Sequence, residues 1–239
     1  MSPGGLGIAS HRVPVGAMRA LPFGYVSQGR VRRLKAMLLA FVLLSAAAML
    51  GDLVDLAVLA EADRVHFLSD IDAHMLEVRG LMTRSLHALA FVGVALVFGR
   101  FLVQANRNAA FLGTGVPSVA PSSMVLWFFV PLANLWRPYH AVCELWSMST
   151  PKARRHEANA VLPAWWASWL GGLALMMFVL GLAEDAVTPA DWIDVAVVDF
   201  AGKLSLVVAA VLMIRWTRTL SERQDDARAE HICDLAELR

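Results

Sequence analysis

The fold class predicted from the sequence is an all-α integral membrane protein, with four transmembrane helices and a proline-broken re-entrant or interfacial helical segment. Three observations predict it. The 239 residues are 58% hydrophobic and only 17% charged, with a mean hydropathy of +0.56, whereas soluble domains run nearer half apolar and a quarter charged. Four stretches are long and apolar enough to cross about 30 Å of hydrocarbon at 1.5 Å per residue. Basic and acidic residues alternate between the connections, although they nearly cancel to a formal +1. The same composition excludes disordered, coiled-coil and collagen-like classes, and the near-neutral balance offers no field for nucleic acid. Cys143 and Cys233 make no disulfide framework and have no metal-ligand spacing.

The elements follow in chain order. Residues 1–35 lack periodicity and read as a disordered basic arm, whose Arg30, Arg32, Arg33 and Lys35 can touch anionic lipid. A membrane domain over 36–217 follows. Its first span, about 36–60, carries Asp52 and Asp55 near its end. A signal peptide cleaved near Ser45–Ala48 is the competing reading, opposed by the long n-region and the apolar sequence beyond. The second span, about 81–103, has Arg84 and His87 near its start. The third, about 161–183, has no charge. The fourth, about 192–214, contains Asp194, Asp199 and Lys203. Residues 218–239 form a charged tail.

Between the second and third spans, residues 122–146 are apolar but broken by Pro131 and Pro138, which lack an N–H and disfavour helix before them. Loop charge decides what this segment does, because Lys and Arg concentrate on the cytoplasmic side. The arm is basic, and Arg100 and Arg107 close the second span. The connection from Glu61 to Gly80 has five acids against Arg64 and Arg79. If residues 122–146 crossed, Lys152, Arg154 and Arg155 would lie outside and Glu184, Asp185 and Asp191 inside, reversing both preferences. A segment that dips in and returns satisfies every loop. The expectation is a multi-pass protein of the plasma (inner) membrane with both termini cytoplasmic. Non-helical backbone at that depth must pack against protein or water.

Two stretches belong together: FLVQANRNAAFLG (Phe101–Gly113) and WFFVPLANLWRPYHAVCELW (Trp127–Trp146). An Asn-Arg-Asn after one span, followed by Pro-x-x-Asn-Leu-x-x-Pro-Tyr, resembles the bacterial membrane family of domain of unknown function 4328. Trp165–Trp166 and the closing IRWTRTLSERQ resemble it too, so the likeness runs from about Lys35 to Arg223. Gln104 departs from it, standing where that family leads one to expect an aromatic residue. The resemblance implies architecture; it brings no activity, cofactor or catalytic residue.

Three constellations carry polar chemistry. Asn106, Arg107 and Asn108 leave the second span, and Asn134, Arg137, His140 and Glu144 lie on the broken segment. A carboxylate in apolar surroundings needs a partner. The expected pair is Arg107 with Glu144, with Asn134 meeting carbonyls freed by Pro138 and His140 beside Glu144 at i,i+4. A polar latch outweighs a substrate or proton site here. The second constellation, Asp52, Asp55, Arg84, His87, Asp199 and Lys203, lies toward the opposite interface. Asp52 and Asp55 are expected level with Arg84 and His87, and Asp199 can pair Lys203 on one helix. Structural ion pairs outweigh a relay. Third, Asp63, His66, Asp70, His74 and Glu77 would share one face of a helix, opposite Val65, Leu68, Ile71, Met75 and Val78. His66, Asp70 and His74 are weak metal candidates, since one straight helix sets the two histidines ~12 Å apart.

No phosphate-binding Gly loop, zinc-protease helix motif or nucleophile elbow occurs, and no cofactor is implied. Ala164, Ser168 and Gly172 form a small-residue ridge for packing within the chain or for self-association. The bilayer is the expected partner, with membrane proteins beside it. The functional expectation is a non-enzymatic structural or sensory membrane module. The alternatives are a small transporter or channel with its polar site at the broken segment and, more weakly, an intramembrane enzyme using His140 and Glu144.

Overall fold

A computed structural model of the chain describes residues 28–112, 118–150 and 160–237. Its helices are α1 (Gln28–Val65), α2 (Asp70–Phe111), α3 (Pro121–Leu126), α4 (Arg137–Met148), α5 (Val161–Asp185) and α6 (Pro189–Glu237). Four of them, α1, α2, α5 and α6, are long and apolar enough to cross a membrane. They exceed the length a bilayer needs except for α5, so α1, α2 and α6 continue as helices outside the hydrocarbon.

Two expectations about boundaries are corrected. The arm does not run to residue 35: α1 already starts at Gln28. There the Arg30 guanidinium donates to Gln104 Oε1 at 3.0 Å, and Leu34 is fully buried. Residues 1–27 lie outside the described residues. The acidic connection is not one helix with a shared polar face either. α1 ends at Val65, His66 adopts φ 55°, and α2 restarts at Asp70 with Ser69 as its cap, accepting from the Asp72 amide. His66 and His74 thus fall on opposite sides of a turn. Among the described residues no group of three or more His, Cys, Asp or Glu is placed to hold a metal.

At the other connection Thr188 caps α6 by accepting from the Asp191 amide, and the Asp191 carboxylate reaches back to accept from the Val187 and Thr188 amides and the Thr188 hydroxyl. These donors hold its carboxyl below the usual carboxylate range, the Thr188 amide foremost. The cap's contribution is present above the ordinary carboxyl pKa and is lost as pH falls through the lowered one.

The broken segment returns to the side it left. α3 passes into a 3-10 turn at Trp127–Phe129, the chain reverses, a second 3-10 turn covers Ala133–Leu135, and α4 leads back. The reversal is a γ-turn: Leu132 sits at φ 63°, ψ −52°, and the Ala133 amide donates to the Pro131 carbonyl at 2.7 Å. The base is closed by Glu144, whose carboxylate accepts from the Ser118 amide at 2.7 Å and from the Ser118 hydroxyl. Backbone groups of the irregular turn find partners: Asn134 N–H meets the Val130 carbonyl, and Trp166 Nε1 donates to that of Leu135 at 3.0 Å. Leu126, Phe129, Val130, Leu132, Leu135 and Trp136 are exposed at the tip, the side chains expected of a segment dipping into lipid.

The core lies between the broken segment and the long helices, around Phe98, Phe101, Trp165 and Trp216. α5 meets α6 through small residues. Ser205 Oγ donates to the Ser168 carbonyl at 2.9 Å, and a Cβ on Gly172 would lie 2.7 Å from Leu206 Cδ2 and 3.3 Å from its backbone nitrogen. Two members of the ridge therefore serve this contact, while Ala164 is exposed. Gly172→Ala is expected to destabilise the protein by about 1–3 kcal/mol through overpacking. A thermal melt in detergent checks this, and an unchanged midpoint would mean a loose helix contact there.

Candidate functional site

The start of α1, the end of α2 and the far half of α6 meet at one end of the bundle, called here the basic end; the α1–α2 and α5–α6 turns mark the acidic end. At the basic end, Gln224 on α6 donates to the Ala105 carbonyl at 2.9 Å and to Ser149 Oγ at 2.8 Å. Its Oε1 accepts from Asn108 at 3.4 Å, and Asn108 Oδ1 accepts from Gln104 at 3.2 Å. Gln104 in turn holds Arg30. Arg223 donates to Thr150 Oγ1 at 2.6 Å and lies 4.3 Å from the Trp146 ring centroid. One buried amide chain thus ties α1, α2, α4 and α6.

The sequence reading found only part of this knot. Arg107 is exposed and makes no ion pair with Glu144, which Ser118 takes instead. Arg107 leaves the helix toward solvent, where an unpaired guanidinium costs nothing. Asn134 meets no carbonyl with its side chain, and its Oδ1 is buried without a partner. Asn106 donates weakly to Met124 Sδ at 3.7 Å. Arg137 lies 4.9 Å above the Trp127 ring, and His140 is exposed beside Tyr139. The missed residues are Gln104, Ser149, Thr150, Arg223 and Gln224. Their signal was Gln104 itself, a polar residue standing where an aromatic was expected.

A cavity of about 460 Å³ opens at the acidic end between α1, α2 and α6, within the range of small-molecule sites. At its floor Lys203 Nζ sits 2.7 Å from both oxygens of Asp52 and 2.9 Å from Asp199 Oδ2. The ammonium's three N–H donors thereby meet three carboxylate oxygens, and Lys203 is 4% exposed. Beside it Arg79 Nη2 lies 2.7 Å from Asp55 Oδ1. That approach is off the hydrogen-bonding direction: Asp55 Oδ1 and Arg79 Nε are buried with no hydrogen bond. Both cations pass over glycines at ordinary contact distance, with space that a Cβ would still fit. A Cβ on Gly51 would stand 3.8 Å from Arg79 Cδ, and one on Gly80 would stand 3.5 Å from Arg84 Nη2.

Asp52 and Asp55 therefore pair with Lys203 and Arg79, not with Arg84 and His87. The reason is depth and helix phase. His87 lies deeper, where Nε2 is 3.1 Å from Ser45 Oγ and Nδ1 is 3.0 Å from the Thr83 carbonyl. A carbonyl only accepts, so a neutral ring carries its proton on Nδ1. The Ser45–His87 pair ends the polar track. Toward the basic end Phe41 packs edge-on against His87, and Leu38, Phe98, Ala209, Met213 and Trp216 follow in the buried core. Arg84 and Glu77 line the cavity mouth, both exposed.

A family model described as domain of unknown function (DUF4328) matches residues 64–222, more than half of the chain but starting later than the likeness from Lys35. No curated protein and no solved structure matches the chain. The matched region holds the α2 and α6 walls of the cavity, and the Asp52–Asp55 wall lies before it.

Proposed function

The chain belongs to the family of domain of unknown function 4328, and on that premise we propose that it is a non-enzymatic sensory membrane module that binds a small polar ligand in the cavity at its acidic end. The family brings no activity with it, so the reading stands on geometry. One observation carries it: the charged cavity is open at the acidic end and blind toward the basic end. Beyond Ser45 and His87 the surroundings are apolar, with only a small void of about 20 Å³ between Leu38, Phe41, Ala209 and Met213, which suits a receptor pocket. The buried amide chain around Gln224 couples α6 to α2 and the end of α4, so a ligand-induced movement of α6 is felt by both.

In this reading the basic end is cytoplasmic, by the excess of Lys and Arg there, and the membrane is the plasma (inner) membrane. Reporter fusions after Pro151 and after Asp185 are expected to report inside and outside respectively; the reverse pattern would overturn the orientation. Cysteine labelling tests the cavity. With Cys143 and Cys233 changed to Ser, Thr83→Cys at the lining is expected to react with an impermeant maleimide from outside, and Ser45→Cys to stay protected. Reaction of Thr83→Cys only from the cytoplasmic side would sink the reading.

A further inference from the structure

We propose that the ligand of this cavity is a zwitterion bearing a primary ammonium and a phosphate or carboxylate, held between Glu77 and Arg84. The inference rests on the binding reading above and deepens it.

Charge accounting around the cavity separates used from unused groups. Lys203 is consumed by Asp52 and Asp199, and Asp55 faces Arg79. Glu77 and Arg84 remain, one carboxylate and one guanidinium, both lining the mouth and neither in an ion pair. They are seven residues apart on α2, so their backbones lie on nearly one face at ~10 Å separation. The Arg84 guanidinium folds back over Gly80, which brings its charge toward the level of Glu77. Neither charge has an ion-pair partner among the described residues, and a molecule carrying both signs satisfies the two together.

The ligand's orientation follows. Arg84 presents a planar fork to the anionic group, suited to phosphate or carboxylate, and Glu77 accepts from the ammonium. One buried atom next to the mouth, Arg79 Nε, has an unused N–H donor, whereas Asp55 Oδ1 is already ion-paired with Arg79 Nη2. Buried polar atoms without partners are rare and call for one. A spare donor there suits the anionic group of the ligand. Apolar walls at Leu59, Val195 and Trp192 accept an uncharged stem. Such chemistry comes from two sources, the ethanolamine phosphate headgroup of a bilayer lipid or a free solute of the same kind.

The test uses the full chain. Delipidated protein in detergent is titrated by calorimetry with sn-glycero-3-phosphoethanolamine, and in parallel with inorganic phosphate and with ethanolamine. Saturable binding of the zwitterion, weakened at least 10-fold by Glu77→Gln and by Arg84→Gln, is the expected result. In nanodiscs, a higher melting midpoint with phosphatidylethanolamine than with phosphatidylglycerol, lost in both variants, assigns the ligand to lipid. Equal midpoints together with solution binding assign it to a free solute. Binding of phosphate or ethanolamine alone as tightly as the zwitterion overturns the proposal, as does zwitterion binding unaffected by either substitution. Failure of all three probes while Thr83→Cys still labels from outside overturns the ligand class and leaves the pocket standing. Both variants sit at the exposed mouth, so their melting midpoints in ligand-free detergent are expected to match the parent protein.

Discussion

Lys203→Met is expected to destabilise the protein by about 3–5 kcal/mol, because it leaves two largely buried carboxylates without their counter-ion. The ammonium is the only cation within ion-pair distance of Asp52 and Asp199 among the described residues. Asp52→Asn is a milder change, since Lys203 keeps Asp199; its expected cost is about 1.5–3 kcal/mol, the loss of a hydrogen bond to a charged group. Adding Asp52→Asn to Lys203→Met should recover part of the loss, because one orphaned carboxylate is then neutral. Melting midpoints and the monodisperse fraction in detergent measure all three. A Lys203→Met protein as stable as Asp52→Asn would show that the triad does not hold α1 to α6.

Trp216→Ala is expected to cost about 3–5 kcal/mol, the range for emptying a large buried aromatic site. Trp216 is 1% exposed, with ring centroids 5.2 Å from Trp165, 5.9 Å from Phe98 and 6.3 Å from Phe101. The conservative change separates volume from polarity. The indole Nε1 is buried without a hydrogen bond, a state that costs about 1–3 kcal/mol in comparable groups. Trp216→Phe removes that donor along with some volume, so the two effects offset and the midpoint should move little. A loss as large as that of the alanine variant would mean that the indole donates to a water or lipid oxygen.

The broken segment shows how far charge reasoning reaches. Lys152 and the base-free acidic connection around Asp185 argue against a fifth crossing, since that crossing would reverse both loops. The return itself is closed by Ser118 holding Glu144. Ser118 gave no signal of this in advance, because a serine in a loop is compatible with many partners. Arg107 was the more obvious partner by charge, yet its side chain points to solvent. Asp55 does lie level with Arg84, since both line the cavity, but helix phase gives its ion pair to Arg79. The Asp199–Lys203 pair, by contrast, needs only i,i+4 spacing on one helix and forms at 2.9 Å. Local geometry could be read in advance; geometry between helices could not.

Composition is enough to dictate the helical membrane class, because the bilayer acts on some 20 residues at a time and obliges each span to satisfy its own backbone. The sequence also placed the polar groups at the two ends. Only the tertiary structure decided which helices are neighbours: α1 lies against both α2 and α6, so Asp52 finds Lys203 151 positions away and a cavity opens where the three helices part. Apolar faces pack with little directional preference, so nothing in a hydrophobic span fixes its lateral partner. Hydrogen bonds and ion pairs do fix it, and they act over a few ångströms between residues that only the fold brings together.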